Sequence, residues 1–135
     1  MNFHDPQFSA TDVIALAKIN HTTLQNWLRH GLLDRLGTTR PESGWLKYSL
    51  HDALIIVAEA KLSAMWISPT ARNKTRMAEQ IATRCMALIS GQPEERHLVF
   101  FGSPDLDEGT IEIVIDCQKL ADDVLAALQH KEQKQ

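Results

Sequence analysis

Cysteine, long apolar runs and targeting segments are scarce or missing in this 135-residue sequence. The two cysteines, Cys85 and Cys117, lie far apart with no Cys or His at metal-ligand spacing. We therefore expect buried reduced thiols, and neither a disulfide framework nor a zinc site. No stretch approaches the roughly 20 apolar residues of a membrane span, and the chain does not begin with a basic segment followed by an apolar one. These absences predict a soluble cytoplasmic protein without a membrane contact.

The sequence also lacks the patterns of catalytic sites. Its six histidines are scattered singly, and no glycine-rich phosphate loop or nucleophile elbow is found. The loop acids Asp105, Asp107 and Glu108 lack the closing Glu of a calcium loop, and a solvated loop is the plainer interpretation. We therefore predict no enzyme, no cofactor and no metal.

The charge of the chain is divided unevenly. Hydrophobic content of 44% and charged content of 23% are typical of a globular domain with an ordinary core. Met1–Arg76 carries a net charge of +3, whereas Met77–Gln135 carries −6. A basic half beside an acidic half is typical of a chain that binds phosphate with one half and another partner with the other.

Two short helices are predicted near the N-terminus. Ser9 and Asp12 have the spacing of a capping box, and the apolar residues that follow predict a helix to about Lys18. Asn20 is a natural N-cap for a second helix, which Gly31 ends. Two such helices joined by a tight turn predict a helix-turn-helix.

The second helix carries a polar face opposite its apolar residues. We expect this face to contact DNA, because polar side chains form hydrogen bonds with base edges and phosphates. The alternative is that it is an ordinary solvated helix face. The candidate DNA contacts on this helix are His21, Thr22, Thr23, Gln25, Asn26 and Arg29.

A hairpin, or wing, is predicted after the second helix. Glycine, proline and polar residues indicate a loop, and the segment ending at Tyr48 alternates like a strand, so residues 35–48 form the predicted wing. Its candidate DNA contacts are Arg40, Trp45, Lys47 and Tyr48. The alternative is that Trp45 and Tyr48 pack against the helices.

Two longer helices are predicted next. Ser49 and Asp52 begin a strongly apolar helix that should be buried on most sides. Another helix begins at Pro69 and ends at Gly91, and its outward residue Arg72 is a further candidate DNA contact. The apolar stripe of that helix is predicted to pair with a second copy, and the alternative is that it covers the core of its own chain.

The C-terminal part predicts a hairpin and a last helix. Residues 98–101 and 110–116 read as two strands, and residues 118–130 read as a helix. Because a lone hairpin is marginal in water, it must lie on a helix or pair with a second copy. We expect an oligomerisation or ligand module.

Several of these segments also match a known family. Ser9–Arg72 resembles the DNA-binding domain of the MerR family of transcription regulators. The matching motifs are Thr23-Leu24, Trp27, Arg29-His30-Gly31-Leu32-Leu33, Gly44-Trp45-Leu46-Lys47-Tyr48, Ser49-Leu50-His51-Asp52 and Trp66-Ile67-Ser68-Pro69-Thr70. The resemblance implies a bacterial or phage regulator whose long helix forms an antiparallel coiled coil with its mate. The departures are at Gln25, Asn26, Leu28 and Leu46; two basic contacts of the family are missing there, which weakens the phosphate contribution.

The predicted fold class is mainly α with small β: a winged helix-turn-helix, a long helix, and a C-terminal hairpin plus helix. The expected divisions are a DNA-binding domain at 1–68, a dimerisation helix at 69–91 and the C-terminal module at 92–135. The predicted function is a homodimeric transcription regulator that binds double-stranded DNA with helix 21–30 in the major groove and wing 35–48 on the backbone. The alternative is a protein-interaction adaptor whose acidic C-terminal module holds a protein partner.

Overall fold

The computed structural model describes residues 3–29, 47–65, 72–102 and 111–133, which form five helices and two small antiparallel sheets. The helices are α1 (Ala10–Ala17), α2 (His21–Arg29), α3 (Leu50–Ala64), α4 (Arg72–Ile89) and α5 (Cys117–Gln133). The strands are β1 (Pro6–Phe8), β2 (Tyr48–Ser49), β3 (His97–Gly102) and β4 (Ile111–Asp116). The mainly helical class with small β elements is confirmed. The winged helix-turn-helix stays a prediction, because residues 30–46 lie outside the described residues.

Two helices begin at the capping boxes that the sequence predicts. At α1, the amide of Asp12 donates to the Ser9 hydroxyl at 3.2 Å, and the Ser9 amide donates to the Asp12 carboxylate at 2.9 Å. At α3, Ser49 and Asp52 make the same two bonds, each at 3.0 Å. Lys18 then ends α1 in the left-handed conformation, with φ of 58°. These bonds satisfy amides that the first turn of a helix leaves without a carbonyl partner.

β1 is a strand that the sequence pattern does not indicate. It pairs with β2, so that Pro6 lies opposite Ser49 and Phe8 lies opposite Tyr48. Proline is tolerated as the first residue of an edge strand, because no ladder bond needs its missing amide. Three residues are too few to show an alternating pattern. This pairing ties the start of the chain to the start of α3.

α3 is the centre of the core. It is buried on most sides, as predicted, and ten of its residues are buried. Eight of these are apolar, and the other two are Asp52 in the capping box and Glu59. Helices α1, α4 and α5 all contact α3. A helix that is apolar nearly all round is stable only when neighbours cover it on several sides.

The apolar stripe of α4 faces the interior of its own chain. Ala78, Ile81, Ala82 and Cys85 have no exposed surface, and α4 contacts both α3 and α5. This is the alternative arrangement, in which the stripe covers the core of its own chain rather than a second copy. The helix ends as predicted, with Gly91 in the left-handed region at φ of 81°.

The C-terminal hairpin and helix are confirmed. β3 and β4 pair antiparallel over six residues each, from His97 opposite Asp116 to Gly102 opposite Ile111. One face of the hairpin contacts the core through Ile115, which is buried, and through Leu98, Phe100 and Ile113, which are partly buried. One hydrophobic cluster therefore includes residues from all three predicted segments, 1–68, 69–91 and 92–135.

Candidate nucleic-acid interface

α2 is a short helix with one anchored side. Its start is capped by Asn20, whose side-chain oxygen accepts a hydrogen bond from the Thr23 amide at 2.7 Å. Leu24 and Trp27 are buried at 1% and 7% exposure. Because these two residues are three apart, they lie on one side of the helix and fix its rotation about its own axis.

The opposite side of α2 carries the predicted contacts. His21, Thr22, Gln25, Asn26 and Arg29 are exposed, and we call these five side chains the α2 polar face. Thr23, also a predicted contact, is half-buried. The helix contains no acidic residue, and Arg29 occupies its last turn. The α2 polar face therefore offers amide, hydroxyl, imidazole and guanidinium groups without a carboxylate that would repel phosphate.

The structure contradicts one of the contacts that the sequence predicts in the wing. Tyr48 is 1% exposed, pairs with Phe8 and belongs to the core, so its predicted role as a DNA contact is wrong. Burial, together with the nearby Asp52 carboxylate, raises the pKa of Tyr48 and keeps the phenol protonated. Lys47, next to buried Tyr48, is exposed and remains a candidate contact.

Three other predicted contacts fall outside what the structure describes. Arg40 and Trp45 belong to residues 30–46, and the Arg72 side chain is outside the described residues although its backbone begins α4. Of the predicted wing 35–48, the described residues include only Lys47 and Tyr48. These predictions stay predictions.

The structure brings together two histidines that the sequence shows as isolated. The His4 and His51 rings have centroids 5.1 Å apart and are tilted by 46°. The His51 amide donates to the Phe3 carbonyl at 2.9 Å, and its Nδ1 atom lies 3.8 Å from an Asp52 carboxylate oxygen. No spacing signals this pair, because the β1–β2 pairing creates it.

The two thiols also meet in the core. Cys85 and Cys117 are both buried and free, as predicted, and the Cys85 thiol donates to the Cys117 carbonyl at 3.4 Å. The hydrogen bond with the Cys117 side chain, together with burial, raises the pKa of the Cys85 thiol. A protonated buried thiol is a poor metal ligand and a poor nucleophile.

The part of the chain that the structure describes has neither a metal-binding cluster nor a membrane-spanning helix. No group of three or more His, Cys, Asp or Glu side chains there could hold a metal ion. No described helix is long and apolar enough to cross a membrane.

Comparison of this chain with known proteins identifies no relative. The likeness to MerR regulators depends on the sequence motifs, because no protein-family model, no curated protein and no solved structure matches this chain.

Proposed function

We propose that this protein is a DNA-binding transcription regulator that inserts α2 into the major groove. The observation that carries the proposal is the α2 polar face, a row of exposed uncharged and cationic side chains on a helix whose other side is fixed by Leu24 and Trp27. A helix held by its apolar side presents its polar side at a constant angle. That is the requirement for reading base edges.

The dimensions and chemistry of α2 suit this role. A helix with its side chains is about 10–12 Å across, and the major groove, roughly 12 Å wide, admits one helix. Gln25 and Asn26 can each bond adenine through both amide atoms, and Arg29 can bond guanine or a phosphate. Lys47, exposed directly before β2, supplies a second cation for the phosphate backbone of DNA.

The resemblance to MerR regulators supports the same proposal and adds a wing and a homodimer to it. In this proposal residues 35–48 grip the flanking phosphates, and two copies read two half-sites. Because Ala78, Ile81, Ala82 and Cys85 are already buried in their own chain, the second copy would contact another surface.

A fluorescence anisotropy titration of the full chain against random duplex DNA at two salt concentrations tests this function. Binding at low salt that weakens as salt rises is expected, because cations on the protein displace ions condensed on DNA. No binding at low salt would overturn the proposal.

Single substitutions divide the interface into two kinds of contact. Lys47→Ala should weaken binding to every duplex alike and lower the salt slope by about 1, whereas Gln25→Ala should relax preference at one base position. Lys119→Ala is the matched control, because Lys119 is an exposed cation of α5 paired with Asp123 at 3.0 Å. Equal losses for Lys47→Ala and Lys119→Ala would mean that only the total charge matters.

A protein-interaction adaptor is the second candidate function. The acidic half of the chain, with a net charge of −6 over residues 77–135, favours it. An exposed acidic surface attracts a basic protein partner by long-range electrostatics. A chain that fails to bind DNA at low salt and instead binds a basic protein with the same salt sensitivity would support the adaptor.

A further inference from the structure

The two buried thiols lie against each other where α4 meets α5. Cys85 belongs to the last turns of α4, and Cys117 is the first residue of α5. The Cys85 thiol donates to the Cys117 carbonyl at 3.4 Å, and a second hydrogen bond joins the two side chains. Neither residue has any exposed surface. The core therefore holds the two sulfur atoms within hydrogen-bonding reach of each other.

The residues around this pair leave room for the sulfurs to come closer. A disulfide needs Cα atoms about 4.4–6.8 Å apart and an S–S bond of about 2 Å. α4 contacts α5, and Ala82 and Ala121, each one helical turn from a cysteine on the same side of its helix, are fully buried. Small side chains allow two helix backbones to approach. We therefore expect side-chain rotation to bring the sulfurs to bonding distance.

Cys117 is the thiol that loses its proton first. The hydrogen bond from the Cys85 thiol lowers the pKa of Cys117; burial opposes this change, and the Arg84 guanidinium adds to it. Cys117 also lies in the first turn of α5, where the helix dipole stabilises a thiolate. The same hydrogen bond raises the pKa of Cys85. One thiol is thus prepared as a nucleophile, and the other holds the proton.

Arg84 connects this pair with solvent. Its guanidinium donates to the Glu95 carbonyl at 2.8 Å and to the His97 carbonyl at 3.5 Å, so its position is fixed. Its side chain is 23% exposed and lines a surface groove of about 600 Å³. Solvent therefore reaches the cation that acts on Cys117. A small oxidant in this groove needs only a local opening of the fold, and not global unfolding, to meet the thiol.

We propose that Cys85 and Cys117 form a reversible disulfide when the protein meets a hydroperoxide, and that this bond clamps the start of α5 to α4. The oxidant is the peroxide, and a dithiol reductant restores the two thiols. The inference does not depend on DNA binding.

The chemistry proceeds in two steps. The Cys117 thiolate attacks one oxygen of hydrogen peroxide, the O–O bond breaks, the leaving hydroxide takes up a proton, and a sulfenic acid remains. The sulfur of Cys85 then attacks the sulfenic sulfur, so that the S–S bond forms and the S–O bond breaks. Hydroxide leaves with the Cys85 proton as water. Two thiols are oxidised by two electrons in all, and one peroxide is reduced to two waters.

Intact mass spectrometry of the full chain tests the disulfide. The reduced protein is treated with hydrogen peroxide and then alkylated in denaturant. The expected product is a monomer lighter by two hydrogen atoms, with no thiol left to alkylate, and dithiothreitol should restore both thiols. Because the sequence has only Cys85 and Cys117, an intramolecular disulfide must join them. Two alkylated thiols after prolonged treatment, or disulfide-linked dimers, would overturn the proposal.

Single cysteine variants test the order of the two steps. Cys85→Ser removes the second thiol, so peroxide should leave Cys117 as a sulfenic acid that dimedone labels. Cys117→Ser should be labelled at Cys85 about tenfold more slowly, because that thiol stays protonated. Equal labelling rates would overturn the assignment of Cys117 as the nucleophile. If either variant fails to fold, the mass measurement on the unchanged chain still decides whether the disulfide forms.

The influence of Arg84 is tested on the same oxidation rate. Arg84→Gln should slow oxidation about threefold, because it removes the cation near the thiolate. Arg84→Lys keeps the charge and should restore most of the rate. Arg76→Gln is the matched control, since Arg76 is an exposed arginine of the same helix that lines the same groove. An unchanged rate in Arg84→Gln, or equal slowing in Arg76→Gln, would overturn the role of Arg84.

Thermal unfolding tests the clamp itself. The two cysteines are 32 residues apart, and a disulfide that closes such a loop lowers the entropy of the unfolded chain. The oxidised protein should therefore unfold about 10 °C above the reduced protein. An oxidised protein with an unchanged or lower unfolding temperature would overturn the clamp.

Discussion

Ser9 and Ser49 begin two helices with the same four-atom pattern of hydrogen bonds but in different surroundings. Ser9 is half-buried, whereas Ser49 is 2% exposed and its partner Asp52 has no exposed surface. Water can replace a lost cap at the first site, but not at the second. The value of a capping residue therefore depends on burial, which the sequence motif does not show.

Ser49→Ala should lower the free energy of unfolding by about 2 kcal/mol, because it leaves the Asp52 amide buried without an acceptor. Ser9→Ala is the matched control and should lower it by about 1 kcal/mol. Urea denaturation followed by circular dichroism measures both changes. A larger loss for Ser9→Ala would mean that burial does not set the difference.

At the scale of elements, α4 ends in a regular pair of hydrogen bonds. The Gln92 amide donates to the Ala87 carbonyl at 3.0 Å, and the Gly91 amide donates to the Leu88 carbonyl at 3.1 Å. These two bonds and the positive φ of Gly91 define a Schellman cap. The cap turns the chain from α4 toward β3.

Gly91→Ala should destabilise the fold by about 1 kcal/mol, because an L-residue pays a steric penalty in the left-handed region. A Cβ atom at this position would meet nothing within 4 Å, so the penalty comes from the backbone alone. Gly91→Asn should cost less, since asparagine tolerates this conformation. Thermal unfolding compares the two variants, and equal losses for both would point to a cause other than the backbone angle.

At the scale of the whole molecule, one core joins the N-terminal helices to the C-terminal module. α4 lies against both α3 and α5, and its Ile81 has no exposed surface. Truncating one residue of a close-packed core leaves a cavity, because the neighbouring side chains relax only partly. The stripe of α4 consequently contributes to the stability of its own chain.

Ile81→Ala should lower the free energy of unfolding by about 2 to 5 kcal/mol, because it opens a cavity in that core. Thr83→Ala, at an exposed position of the same helix, should change it by about 0.5 kcal/mol or less. Sedimentation equilibrium under native conditions should give the same mass for Ile81→Ala and for the unchanged chain. A lower mass with unchanged stability would instead identify the stripe as a dimer seam.

The amino-acid sequence by itself determined the local features of this protein. The capping residues Ser9, Asn20 and Ser49, the stop at Gly91 and the alternating strands of the C-terminal hairpin depend on neighbours within a few residues, so the spacing of residue types is sufficient. The exposure of the α2 polar face is predicted in the same way, because the helical period places these side chains opposite Leu24 and Trp27.

Only the tertiary structure decided which surfaces face each other. Tyr48 is buried because β1 pairs with β2. The apolar stripe of α4 is buried because α3 and α5 pack against this helix. Contacts of this kind join residues far apart in the chain, and many pairings share the same local pattern. An amphipathic stripe therefore predicts that one face of a helix will be buried. Tertiary packing determines which element buries it.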